Sequence, residues 1–99
     1  MKKDNFKIVC CECWTRDGLQ SQTKVVPTQS KVSMINDLID AGFKKIEVTS
    51  FSNPKLLPQF ADNIEVLQAL PKNDDVSYVV LMPNLKGFDY FLKALEMGC

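Results

Sequence analysis

The 99-residue sequence has no histidine. Any metal centre it forms must therefore draw on cysteine thiolates and oxygen donors. It has no net charge either, since 12 basic residues are matched by 12 acidic ones. No basic face dominates in such a balance, which argues against nucleic acid as a partner. Long apolar runs are missing as well. The opening, "MKKDNF", leads into a hydrophobic stretch too short for a signal peptide, and nothing approaches a membrane span. Nor is that opening Arg-rich and acid-poor, as a transit peptide would be. The expected address is the cytosol, with no membrane partner. What is present suits a soluble globular chain: 45% hydrophobic and 24% charged residues, at a length fitting one small domain or a piece of a larger one.

Three of the four cysteines crowd together as Cys10, Cys11 and Cys13, and the fourth is Cys99. A zinc site needs four ligands, usually in two separated pairs. That spacing is missing. The cluster reads instead as small apolar side chains in a reduced interior strand.

Periodicity divides the chain. Residues 6–12, "FKIVCCE", are short and apolar, which predicts a buried strand. Residues 17–29 are polar and carry Gly18 and Pro27, so they read as loop. Thr28 is placed to cap a helix over 29–41, with Val32, Ile35, Leu38 and Ile39 on one face and Gly42 at its end. A second strand is expected over 44–50, a loop with two prolines over 51–60, and a second helix over 61–70 with Ile64, Leu67 and Leu70 in register. A third strand follows at 76–82, a loop at 83–87, and a third helix at 88–97 before Gly98.

The order is strand then helix, three times, at the spacing of a βαβ unit. Alternation of this kind argues for an α/β fold with a parallel sheet. Non-alternating apolar strands agree, because parallel strands are buried on both faces. The phrase "LIDAGFKKIEV" runs from helix through glycine into strand, and "ALEMGC" repeats its first half. Three strands and three helices would leave open sheet edges. We therefore expect residues 1–99 to be the first three βα units of a (β/α)8 barrel, a fold of roughly 250 residues. The alternative is a small open three-stranded sheet.

A barrel places its chemistry at the C-terminal ends of its strands. Arg16 and Asp17 follow the first strand in "TRDGLQ", Glu47 lies near the end of the second in "IEVTS", and Asn84 follows the third. Glu47 is the most telling, because a carboxylate between Ile46 and Val48 is costly to bury unless paired or bound. A structural alternative is an ion pair of Arg16 with Glu47 or Asp17 that merely holds the loop.

The ordered motifs "RDGLQ", "IEVTSF", "PK" and "PQ" in the next loop, and "PNLKGF" carry a resemblance. From about residue 6 to 98 the chain resembles the N-terminal part of the hydroxymethylglutaryl-CoA lyases. These belong to a superfamily of metal-dependent (β/α)8 barrels that make or break carbon–carbon bonds. Leu19 stands where the related condensing synthases have glutamate, which favours the lyase branch; another enzyme of the superfamily, a synthase or aldolase, is the alternative reading. The lyases usually have Gly-Pro before Arg-Asp-Gly, and this sequence has Trp14 and Thr15 instead.

The resemblance implies cleavage of an acyl-CoA substrate, 3-hydroxy-3-methylglutaryl-CoA, into acetyl-CoA and acetoacetate, with a divalent cofactor, Mg²⁺ or Mn²⁺. Under it Asp17 is a metal ligand, Arg16 is catalytic and holds the thioester oxygen, and Glu47 is catalytic through orienting Arg16 or a metal-bound water. Gln20, Ser50 and Asn84 are substrate-binding candidates with Arg16, and Lys55 and Lys86 are candidates for CoA phosphates. The family's His-x-His metal pair and its cysteine on a glycine-rich loop belong to later strands, and no residue of this chain takes their place. Alone, the chain is expected to be inactive and to self-associate, to await the rest of a barrel, or to act as a non-catalytic partial barrel that binds a partner.

Overall fold

The computed structural model describes residues 7–99. Phe6, at the head of the first expected strand, lies outside them. Strand and helix alternate as β1 (Cys11–Glu12), α1 (Thr28–Asp40), β2 (Lys45–Ser50), α2 (Asn63–Ala69), β3 (Ser77–Leu81) and α3 (Leu85–Glu96). The strands are parallel in the order β1-β2-β3. Each strand thus pairs with its sequence neighbour across one intervening helix.

Packing follows the apolar periodicity. Ile46 and Val48 of β2 are fully buried and join Ile35 of α1, Val66 of α2, Leu70 and Val76 in one cluster. Leu38, Ile39, Leu67, Tyr78 and Val80 close around it. Full burial of such a side chain contributes about 1.5–3 kcal/mol. Val32 and Ile64, expected on the inner helix faces, are half-buried, while Lys31 and Asn63 take inner positions. Lys31 is tolerated there because its Nζ donates to the Gln59 carbonyl and to Asp62 Oδ1, the latter at 2.6 Å. The Thr28 hydroxyl joins the same group, donating to Asp62 Oδ2 at 2.5 Å rather than capping its own helix.

The first strand is shorter than its apolar run suggests. Cys11 pairs with Lys45, the first residue of β2, so residues 7–10 run beyond the start of their partner strand. Ile8 and Val9 are exposed as a result. Gly42 sits at φ 103°, in the left-handed region that ends α1. The third strand is half-buried, not fully buried. The third helix begins three residues ahead of its expected start, because Asn84 caps it by accepting from the Gly87 amide at 2.9 Å.

Between Glu47 and Thr49 the β2–β3 register slips by one residue. Glu47 pairs with Val79 and Ser50 with Leu81. The bulge therefore returns Ser50 to the face of the sheet that Glu47 occupies, opposite Ile46 and the helices.

Candidate active site

The stretch expected to be plain loop opens with a wide turn. Residues Trp14–Gly18 form a single π-helical turn directly after β1. The amides of Arg16, Asp17 and Gly18 all donate to one acceptor, the Cys13 carbonyl, at 3.2, 2.8 and 3.2 Å. Single π turns of this kind recur at functional sites. The Trp14 amide donates to Glu12 Oε1 at 2.8 Å, and its indole Nε1 to Met34 Sδ at 3.2 Å. The ring lies over Gly18, where a Cβ would stand 2.3 Å from Trp14 Cε3. Glycine is thus required there by close approach. Gln59 fastens the far side of the loop, accepting from the Val26 amide at 2.7 Å and donating to the Lys24 carbonyl at 2.9 Å.

This turn carries Arg16 to Glu47. Arg16 Nε donates to Glu47 Oε1 at 2.7 Å, and both side chains are largely buried. Arg16 Nη1 reaches Gln20 Oε1 at 3.1 Å and Asp17 Oδ1 at 3.4 Å. Both ion pairs foreseen for Arg16 therefore exist together. Its Nη2 has no protein partner among the described residues. The second carboxylate oxygen of Glu47 accepts from Cys13 Sγ at 3.3 Å. Burial first, then this hydrogen bond and the negative charge of Glu47, push the Cys13 thiol from 9.0 up to about 11.

Asp17 is the exposed member. Its side chain is 71% accessible, and its contact with Arg16 is long at 3.4 Å. A carboxylate left this free is a hard oxygen donor, so Asp17 fits one position of a magnesium or manganese ion. Glu47 offers no free oxygen while the Cys13 thiol keeps its proton, because Oε1 accepts a hydrogen bond from Arg16 and Oε2 one from Cys13.

The remaining candidates separate from this group. Ser50 is fully buried and its hydroxyl pairs with that of Ser52 at 2.5 Å, which gives it a structural partner in place of an open face. Asn84 spends its side-chain oxygen on the α3 cap. It lines a cavity of about 230 Å³ with Phe51, Asn53, Lys55, Lys86 and Tyr90, so the two candidate lysines share one recess. The cysteines differ most from expectation: Cys10 and Cys11 are exposed and Cys13 is half-buried, because β1 pairs only at Cys11 and Glu12. Sequence reasoning also missed Cys13 and Gln59 as supports of the Arg16 turn. Only the "PQ" motif hinted at the second.

No family profile matches the chain. Its curated relatives are hydroxymethylglutaryl-CoA lyases. A mitochondrial one from Gallus gallus is 48% identical over 82 residues, which is 83% of this chain and 28% of the relative. A cytoplasmic 3-hydroxy-3-methylglutaryl-CoA lyase from Mus musculus is 43% identical over 83 residues, 84% of this chain and 24% of the relative. The solved hydroxymethylglutaryl-CoA lyase of Pseudomonas aeruginosa superposes with a TM-score of 0.84 at 39% identity, over 89% of this chain and 29% of that one. An HMG-CoA lyase from Acenitobacter baumannii, in complex with coenzyme A and 3-methylmalate, gives 0.81 at 41% identity over 88% of this chain and 28% of that one. The chain thus spans about a quarter of the length of the curated relatives it matches.

Proposed function

We propose that this chain supplies the first three βα units of a (β/α)8 barrel and the Arg16, Asp17 and Glu47 part of a hydroxymethylglutaryl-CoA lyase-type centre. The whole protein would then cleave 3-hydroxy-3-methylglutaryl-CoA to acetyl-CoA and acetoacetate. One observation carries the reading: Arg16 is fixed by Glu47 of β2 beside an exposed Asp17, in the turn that follows β1. The parallel order β1-β2-β3 is the order a barrel requires of its first three units. The coenzyme A held by a similar lyase supports an acyl-CoA substrate, and the Lys55–Lys86 recess offers charge for its phosphates. Relatives of both mitochondrial and cytoplasmic description leave the cytosol as our proposed address.

In retro-Claisen cleavage a base takes the proton of the tertiary hydroxyl, the carbon–carbon bond breaks with its electron pair moving toward the thioester oxygen, and the enolate carbon then takes up a proton to give acetyl-CoA. Arg16 suits that oxygen. Its Nε and Nη1 are occupied by Glu47 and Gln20, which fixes the guanidinium plane, and Nη2 remains to donate. A donor fixed in advance gains most when charge appears, so it favours the transition state over the ground state. Glu47 works through Arg16 and is a positioning residue. Magnesium or manganese, when bound, polarises substrate oxygens, and Asp17 is the residue here that would hold it.

Hard divalent ions take about six oxygen donors. Asp17 is the one free carboxylate of this group among the described residues. We therefore expect the 99-residue chain by itself to release no acetoacetate. The positive test is a chimera in which residues 7–99 replace the matching segment of the Pseudomonas aeruginosa enzyme. Acetoacetate release from hydroxymethylglutaryl-CoA, lost on Arg16→Met, supports the reading. A folded chimera without turnover sinks it.

A further inference from the structure

We infer that Cys11, Cys13 and Glu47 form a binding site for a thiophilic divalent ion such as zinc, separate in chemistry from the hard-cation position at Asp17. The two thiol sulfurs and a Glu47 carboxylate oxygen all lie within 4.8 Å of one another. Zinc bonds of about 2.3 Å to sulfur and about 2.0–2.2 Å to oxygen, at tetrahedral angles, put neighbouring ligand atoms about 3.5–3.8 Å apart. The Cys13 Sγ to Glu47 Oε2 separation of 3.3 Å is already close to that edge.

The strand register explains why these three groups meet. Cys11 lies in β1 and Cys13 directly follows the strand two residues on, so their side chains share a face. Cys11 pairs with Lys45 and Glu12 with Ile46, which sets Glu47 beside Cys13 on the same face. That face is the one turned away from the buried Ile46 and the helices. Cys10 points to the other side and Cys99 follows α3, so neither belongs to the group.

The surroundings suit an ion. Glu47 divides its oxygens, with Oε1 on Arg16 and Oε2 toward the thiols. An outer donor of this kind aims a ligand without consuming the ligating atom. Charges also balance: two thiolates and one carboxylate give −3, against +2 from the ion and +1 from Arg16. In this chain Cys11 is exposed, while Cys13 and Glu47 are half-buried. Three protein ligands leave a fourth position open, as in catalytic rather than structural zinc sites. Sulfur donors select zinc or cadmium over magnesium or manganese. Each thiol releases its proton to solvent as its sulfur binds. Three ligands from adjacent strands thus suffice where the spacing of four cysteines in sequence argued against zinc.

The test titrates the reduced chain with Cd²⁺ and reads the ultraviolet sulfur-to-metal charge-transfer band, with Zn²⁺ competing. One ion per chain is expected, displaced by Zn²⁺ and unaffected by excess Mg²⁺. Cys11→Ser and Cys13→Ser should each weaken binding by more than the ~10–100-fold that loss of an outer partner costs. Cys10→Ser and Cys99→Ser should leave it unchanged. Circular dichroism checks that the variants fold. In the unmutated chain, Zn²⁺ should protect Cys11 and Cys13, but not Cys10 or Cys99, from alkylation mapped by mass spectrometry. No band, a band that survives Cys13→Ser, or protection centred on Cys10 overturns the site. These readouts require no lyase activity, so the site and the lyase reading stand or fall separately.

Discussion

Arg16 Nε and Glu47 Oε1 meet at 2.7 Å although 31 positions separate them in the chain. The contact joins the turn after β1 to the middle of β2. In the chimera, Arg16→Met should lower turnover by ~10²–10³-fold, the cost of losing one donor to a developing oxyanion. Arg16→Lys should recover little, because a lysine has no planar fork of donors with which to be fixed by two neighbours at once. Glu47→Gln should lower kcat more than it raises KM. Near-normal kcat in Arg16→Met would remove Arg16 from the chemistry.

Asp17→Asn should separate from these variants in a manganese titration. It removes the charge of a free carboxylate, so Mn²⁺ affinity should fall while Arg16→Met leaves it nearly unchanged. Equal affinity in Asp17→Asn and its parent would show that Asp17 is no ligand.

Lys31 and Asp62 form a second ion pair, at 2.6 Å, with the lysine almost wholly enclosed. Removing the anion alone strands a buried cation. Asp62→Ala should therefore cost about 3–5 kcal/mol in urea unfolding, and Lys31→Met clearly less. The reverse order would mean that the Gln59 carbonyl, not Asp62, satisfies Lys31.

Cys13 should be the slow thiol of its cluster. A pKa raised to about 11 leaves little thiolate at pH 8. Iodoacetamide should modify Cys10 and Cys11 well before Cys13, and Glu47→Gln should narrow the gap. The folded thiol holds its proton longer than an unfolded one. Its contribution to stability is therefore intact below pH 9.0 and is lost as pH rises toward 11. Unfolding midpoints that drop on alkalisation in wild type, and drop less in Cys13→Ser, would bear this out. Equal slopes would count against it.

Gly18→Ala should destabilise the turn by about 1–3 kcal/mol, since the new methyl collides with the Trp14 ring. Trp14→Ala should relieve much of that loss in the double variant. Simple additivity would mean that the ring is not what requires glycine there.

The sequence was informative where one periodicity or one ordered motif decided the matter. Alternating strand and helix patterns carried the parallel sheet, and "RDGLQ" with "IEVTSF" carried the meeting of Arg16 and Glu47. It was uninformative where partners are set in three dimensions. Nothing local reveals that Lys31 turns inward, because its acceptors stand 28 and 31 residues away. Asn84 looked like a rim residue, since asparagine serves as ligand and as cap with the same oxygen. The run before Cys11 looked buried because apolar composition does not disclose where a neighbouring strand begins.

The convergence of three amides on the Cys13 carbonyl bears on heredity. Every amino acid brings the same carbonyl. An arrangement hung from it passes unchanged through substitutions at that position, while the side chain is free to drift. The residue at position 13 can therefore change without removing the acceptor that presents Arg16 and Asp17.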